Sequence, residues 1–239
     1  MSARCQATRG ARRLSLVRTP SPNFGPRQGT DIDMLVLHYT GMRSAAEALA
    51  RLCDPAAQVS AHYLVDEDGT VHALVDEEQR AWHAGVSSWR GESDVNSRSI
   101  GIELANPGHE FGYRMFAEAQ IDALVELATG ILARRSIPAR NVVAHSDVAP
   151  TRKQDPGELF PWRRLKTYGI GLWPLSGDEW APAPEPDEAL SWLARYGWDV
   201  SDPKAAVAAC QRHFRGARVD GVLDGETTGR LLRLLAAVE

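Results

Sequence analysis

Met34-Leu35-Val36-Leu37-His38-Tyr39 is the stretch on which the fold turns. Four apolar residues in a row, without polar alternation, make the pattern of a strand buried on both faces. The run stops at His38, so an imidazole stands at the strand's end. Working outward, Ser99-Ile100-Gly101-Ile102-Glu103-Leu104 has the same character with one carboxylate inside it, and Val142-Val143-Ala144 is a third short run that delivers His145. Between the last two, Ile121, Leu124, Val125, Ala128, Ile131 and Leu132 recur at helical spacing and predict an amphipathic helix of about five turns. Ser44 predicts the cap of a helix through Leu52, and Asp66-Glu67-Asp68-Gly69 predicts a hairpin turn between two further apolar segments. Strands and helices interleave, so the expected class is α/β, a mixed central sheet covered by helices.

Residues 1–30 carry Pro20, Pro22, Pro26 and several arginines with little periodicity, and predict an extended N-terminal arm. The main domain is expected over 31–180. Ala181-Pro182-Ala183-Pro184-Glu185-Pro186-Asp187 has the composition of a semi-rigid linker, and 188–239 predict a small domain of three short helices around Leu190/Leu193, Val207/Cys210/Phe214 and Leu231/Leu232/Leu235. A spacer of this kind implies that the first domain folds and works without the second.

A net charge of -4 gives no basic field to draw the whole molecule to nucleic acid or an anionic membrane. Cys5, Cys53 and Cys210 are odd in number and scattered, which fits neither a disulfide framework nor a Cys-x-x-Cys metal knuckle. No run approaches the roughly 18 apolar residues of a membrane span, so no integral membrane contact is expected. Leu14 to Val17 is too short for a signal-peptide core, and Cys5 has no apolar run before it. A cytoplasmic location is the expectation, with the periplasm, reached by another route, as the alternative.

The candidate chemistry lies in His38, Glu103, His145 and the segment Thr151-Arg152-Lys153-Gln154-Asp155-Pro156-Gly157. Two histidines and a carboxylate leave a fourth position open, which is what a catalytic zinc site requires. The spacing alone does not decide it. Strand-end histidines satisfied by backbone groups, a solvated Glu103 and a Lys153 that merely solvates its loop fit the same residues, and Arg152 competes with Lys153 for an anion-stabilising role.

Three further segments narrow the choice: Ser60-Ala61-His62-Tyr63, Arg80-Ala81-Trp82-His83-Ala84-Gly85, and Asn96 through Leu104. Taken in order with the stretches above, over about residues 31–166, they resemble the AmpD/AmiD-type N-acetylmuramoyl-L-alanine amidases, related in fold to phage amidases and peptidoglycan-recognition proteins. The resemblance implies one zinc ion held by His38, His145 and Asp155, with Glu103 and Lys153 as the catalytic pair. It also implies substrate contacts from Tyr63, His83 and Asn96. The implied reaction is hydrolysis of the amide between the muramoyl lactyl group and L-alanine of the stem peptide, on peptidoglycan fragments or polymer. Asp155 stands where the receptor and phage branches typically carry cysteine, which favours an enzyme. A non-catalytic peptidoglycan receptor and a zinc peptidase acting within the stem are the alternatives. Ala208 to Phe214 followed by Val219 to Thr227 resembles the three-helix peptidoglycan-binding module, with Cys210 at a position usually held by phenylalanine.

Overall fold

The computed structural model of the chain describes residues 14–238, so Cys5 and the first arginines lie outside the described residues. In chain order the elements are β1 (Leu16–Arg18), β2 (Phe24–Pro26), β3 (Met34–Tyr39), α1 (Ala45–Cys53), β4 (Tyr63–Val65), β5 (Val71–Ala73), β6 (Gln79–Ala81), β7 (Ser88–Trp89), β8 (Glu92–Ser93), α2 (Val95–Arg98) and β9 (Ser99–Leu104). They continue with α3 (Gly108–Phe111), α4 (Glu118–Arg134), β10 (Val142–Ala144), α5 (His145–Val148), α6 (Trp162–Lys166), α7 (Pro186–Tyr196), α8 (Pro203–Phe214) and α9 (Gly225–Ala236).

A six-stranded sheet runs in the order β1-β5-β4-β9-β3-β10. It is mixed: β4 and β5 pair antiparallel across the Gly69 turn, and the other neighbours are parallel. β3 lies one strand in from the edge, between β9 and β10, and is covered on both faces, so its four-residue apolar run is buried. Ser44 caps α1 through its hydroxyl, which accepts from the Glu47 N–H at 3.2 Å.

The period of two divides these strands between two cores. Leu35, Leu37, Ile100, Ile102, Leu104, Val142 and Ala144 face α4, whose Ile121, Leu124, Ala128 and Ile131 complete the first core. Met34, Val36 and Val143 face the other way, and the helices that cover them are the C-terminal ones. Leu193, Tyr196, Trp198, Val207, Phe214, Leu231 and Leu234 pack with Trp89, Val95 and Val148 into one continuous cluster on that face. α7, α8 and α9 therefore share a core with the sheet. The proline-rich segment before them also lies against the bundle, where the Ala181 N–H donates to the Gly225 carbonyl at 2.9 Å.

The N-terminal segment is extended but built into the fold. β1 adds to the sheet edge beside β5, and β2 pairs antiparallel with β6. Arg27 is buried and donates to the carbonyls of Glu77, Ser97 and Ser99, stitching the segment to two separate stretches of chain.

Candidate metal centre and active site

β3 and β9 run parallel with His38 in register with Glu103. Both side chains leave the sheet on the face opposite α4, since Leu37 and Ile102 beside them take the α4 face. β10, on the other flank of β3, ends at the turn that opens with His145. The Ser146 N–H donates to the Asp155 carbonyl at 3.0 Å, which draws the 151–157 loop against that turn. Three strand ends and one loop thus bring distant residues together.

Nδ1 of His38, Nδ1 of His145 and Oδ2 of Asp155 form a triangle with sides of 2.9, 3.1 and 2.9 Å, and all three residues are buried. The hydrogen bonds behind them decide what those atoms carry. The Ser99 hydroxyl donates to the Val95 carbonyl at 2.6 Å, so its oxygen accepts from Nε2–H of His83 at 3.1 Å. Nδ1 of His83 is then an acceptor and takes the proton of His38 Nε2 at 3.0 Å. His145 Nε2–H donates to the Ala84 carbonyl at 3.1 Å. Both histidines therefore turn an unprotonated Nδ1 toward the carboxylate oxygen.

Three lone-pair atoms at such separations repel one another unless a cation sits among them. A zinc ion with ligand distances of about 2.0–2.2 Å sets its donors roughly 3.3 Å apart, close to this triangle. The residues fit a metal. For His38 the electrostatics agree with this protonation pattern. Burial, and then His145, push the His38 imidazole down to about 4, so it is neutral at neutral pH. Burial opposes the Asp155 carboxylate, yet His145 and His38 outweigh it and hold that group below the usual range.

Glu103 lies beside this set with one oxygen, Oε2, buried and without a hydrogen-bond partner. Burial first, and then the Asp155 charge, raise its pKa well above that of an ordinary carboxylate, while Lys153 works in the opposite direction. Glu103, His145, Lys153 and Asp155 all line a cleft of about 660 Å³, together with Tyr39, Trp82, His109 and Arg152. Arg152 donates to the carbonyls of Ala84 and Val86. That use ties down the 84–86 loop and leaves Lys153 as the cation that acts on Glu103.

The residues expected to contact substrate are placed differently. Tyr63 is the neighbour of Leu64 on β4, and by the alternation of the strand it faces α4; its hydroxyl donates to Glu77 at 2.8 Å in a separate groove. Asn96 is buried, and its carboxamide oxygen accepts from the N–H groups of His83 and Ala84 at 3.0 and 2.8 Å. Neither lines the cleft. His83 borders it, but both of its ring nitrogens are engaged by His38 and Ser99, so it stands behind a donor atom instead of reaching outward. Two roles were missed from the sequence: Ser99, which starts the proton chain, and Arg152, which holds the loop. Ser99 gives no sequence signal, because its partner His83 is 16 residues away and on another element.

The profile of the N-acetylmuramoyl-L-alanine amidase family matches residues 28–158, more than half of the chain, and spans every residue of the constellation. The chain belongs to the N-acetylmuramoyl-L-alanine amidases. Among relatives of this amidase, N-acetylmuramoyl-L-alanine amidase AmiD of Escherichia coli is 44 % identical over 224 residues, covering 82 % of this chain and 79 % of that one. The structure of E. coli AmiD in complex with anhydro-N-acetylmuramic acid-L-Ala-D-γ-Glu-L-Lys superposes with a TM-score of 0.79 at 40 % identity, over 89 % of this chain and 90 % of the other. AmpDh3 of Pseudomonas aeruginosa gives a TM-score of 0.75 at 33 % identity, over 91 % and 94 %. These overlaps run past the family match into the C-terminal helices, so the amidase shares more than its catalytic sheet with them. No helix among the described residues of the amidase is long and apolar enough to cross a membrane.

Proposed function

We propose that this amidase hydrolyses the bond between the muramoyl lactyl carbonyl and the L-alanine nitrogen of peptidoglycan stem peptides, with one zinc ion held by His38, His145 and Asp155. The observation that carries this is the convergence of three lone-pair atoms, with the unpartnered Oε2 of Glu103 in the same cleft. When bound, zinc supplies Lewis acidity toward the scissile carbonyl and a water acidified to a pKa of about 7.

The chain's own residues do the rest. Glu103 takes the proton of the attacking water at Oε2 and returns it to the departing alanine nitrogen, a transfer that its raised pKa suits. Lys153 lines the same cleft, and its ammonium is the cation that stabilises the negative charge building on the carbonyl oxygen in this reading. The Ala84 carbonyl and His83 keep the two imidazoles in the tautomer that coordinates.

Soluble anhydro-muropeptides are the favoured substrate form, since a cleft of about 660 Å³ suits a fragment and the similar AmiD structure holds one. The C-terminal helices are proposed to contact wall glycan as well, with co-sedimentation with sacculi as the check. Incubating the protein with an anhydro-muramoyl tripeptide and weighing the products tests the reaction. A free peptide beginning at L-alanine, abolished by chelation and restored by zinc, is the expected result. Cleavage within the stem would favour a peptidase, and binding without products a receptor.

A further inference from the structure

The Asp147 carboxylate is 0 % exposed and sits on α5, two residues after His145. It accepts three hydrogen bonds: from the Ala144 N–H to Oδ2 at 2.8 Å, from Nε1–H of Trp198 to Oδ1 at 3.1 Å, and from Nδ1–H of His213 to Oδ2 at 2.6 Å. The first caps the turn locally. The other two come from the C-terminal region, 51 and 66 residues away.

The end of α8 also reaches the loop that carries Asp155. Nε of Arg212 is 3.9 Å from the Glu158 carboxylate, and the His213 ring stacks on Trp162 with centroids 3.8 Å apart. Gly216 lies so close to the Glu158 carbonyl that a side chain there would collide with it. This end of α8 is wedged between the two loops that present His145 and Asp155.

We propose that His213 and Trp198 are positioning residues for the metal centre: by anchoring Asp147 they set the orientation of α5, and with it the direction of His145 Nδ1. The inference rests on His145 being a metal ligand. α5 has four residues, too few to hold a helical axis without outside contacts. Its orientation is therefore set by what grips its polar groups: the Ser146 N–H bond to the Asp155 carbonyl is one hold, and Asp147 is the other. Removing a donor leaves a buried carboxylate under-satisfied, and the turn relieves this by shifting. Losing a partner bonded directly to a metal ligand typically costs about 10–100-fold in metal affinity, and His213 and Trp198 act one contact further out, through the turn that carries His145. On this account the C-terminal helices help to shape the metal centre as well as cover the sheet.

The test uses the full chain without substrate. His213→Phe keeps the ring stack and removes the Nδ1 donor, while His213→Asn restores a donor near the same point. Trp198→Phe removes the other donor and serves where His213→Phe does not fold. Leu234→Ala, at a fully buried position of α9, is the control for plain destabilisation. Zinc affinity is measured by competition with a chromophoric chelator, and site geometry by the visible spectrum of the Co(II) form. His213→Phe or Trp198→Phe is expected to bind zinc about 10–100-fold more weakly with an altered Co(II) spectrum. His213→Asn is expected to recover most of the affinity, and Leu234→Ala to lower Tm with zinc affinity unchanged. A folded His213→Phe or Trp198→Phe with wild-type affinity and spectrum overturns the inference, as does Leu234→Ala weakening zinc equally. If the wild-type chain binds neither metal, the ligand assignment has failed and the inference falls with it; tight wild-type binding that the variants leave unchanged overturns the inference alone.

Discussion

Nδ1 of His83 lies 3.0 Å from Nε2 of His38, and this contact fixes the proton of His38 on the nitrogen that faces away from His145 and Asp155. Removing His83 frees His38 to take the other tautomer or to rotate. His83→Ala is expected to weaken zinc binding by about 10–100-fold, read by chelator competition. An unchanged affinity would leave His83 a packing residue only.

Gly101 is the reason His83 can stand there. A Cβ at 101 would lie 2.6 Å from Cδ2 and 2.7 Å from Nδ1 of the His83 ring, well inside contact distance. Gly101→Ala should cost about 1–3 kcal/mol through overpacking. That corresponds to a Tm drop of roughly 2–12 °C for a chain of this size, and metal affinity should fall with it. A thermal melt and a zinc titration on the same sample check both.

Glu103 is assigned to proton transfer, not coordination. Glu103→Ala should lower kcat by about 10² or more and leave one zinc per chain. Metal analysis decides the point: loss of zinc in this variant would make Glu103 a ligand.

The acidic limb of kcat/KM should report Glu103. The carboxylate must be deprotonated to act as base, and its pKa is raised by burial and by Asp155, so activity falls as pH drops through a value above the ordinary carboxylate range. Lys153 lowers that pKa, since a nearby cation favours the charged form. Lys153→Met should therefore move the limb to higher pH, besides reducing kcat by about 10²–10³ through lost oxyanion stabilisation. A limb that stays in place, or moves down, would break the pairing of these residues.

A chain ending at Trp180 keeps every proposed ligand and the catalytic pair, yet it loses the cover over Met34, Val36, Trp89, Val143 and Val148. Exposing even three of these five side chains at about 1.5–3 kcal/mol each removes roughly 5–9 kcal/mol, the scale of a whole domain's stability. The shortened chain is expected to be largely unfolded or aggregated, by circular dichroism and size-exclusion chromatography. A soluble, cooperatively melting product with full activity on soluble muropeptides would restore the picture of a tethered accessory domain.

Local pattern was enough for the inner strands of the sheet and for the three side chains they deliver to the cleft region. An apolar run ending in His38, another holding Glu103 and a third delivering His145 are signals carried by adjacent residues, because burial on both faces demands unbroken apolar stretches. The order of motifs then joined Asp155 and Lys153 to them through family resemblance. Three things were decided only in tertiary structure. Tyr63 went to the α4 face because a strand's alternation says which residues share a face but not which face meets the cleft. His83 became a support for His38 because hydrogen-bond polarity propagates through space, from the Val95 carbonyl through Ser99, and no sequence spacing encodes it. The proline-rich composition of 181–187 predicted a spacer, since composition reports local stiffness. Whether the helices beyond it swing free or dock depends on a complementary apolar face, and here that face is the back of the sheet.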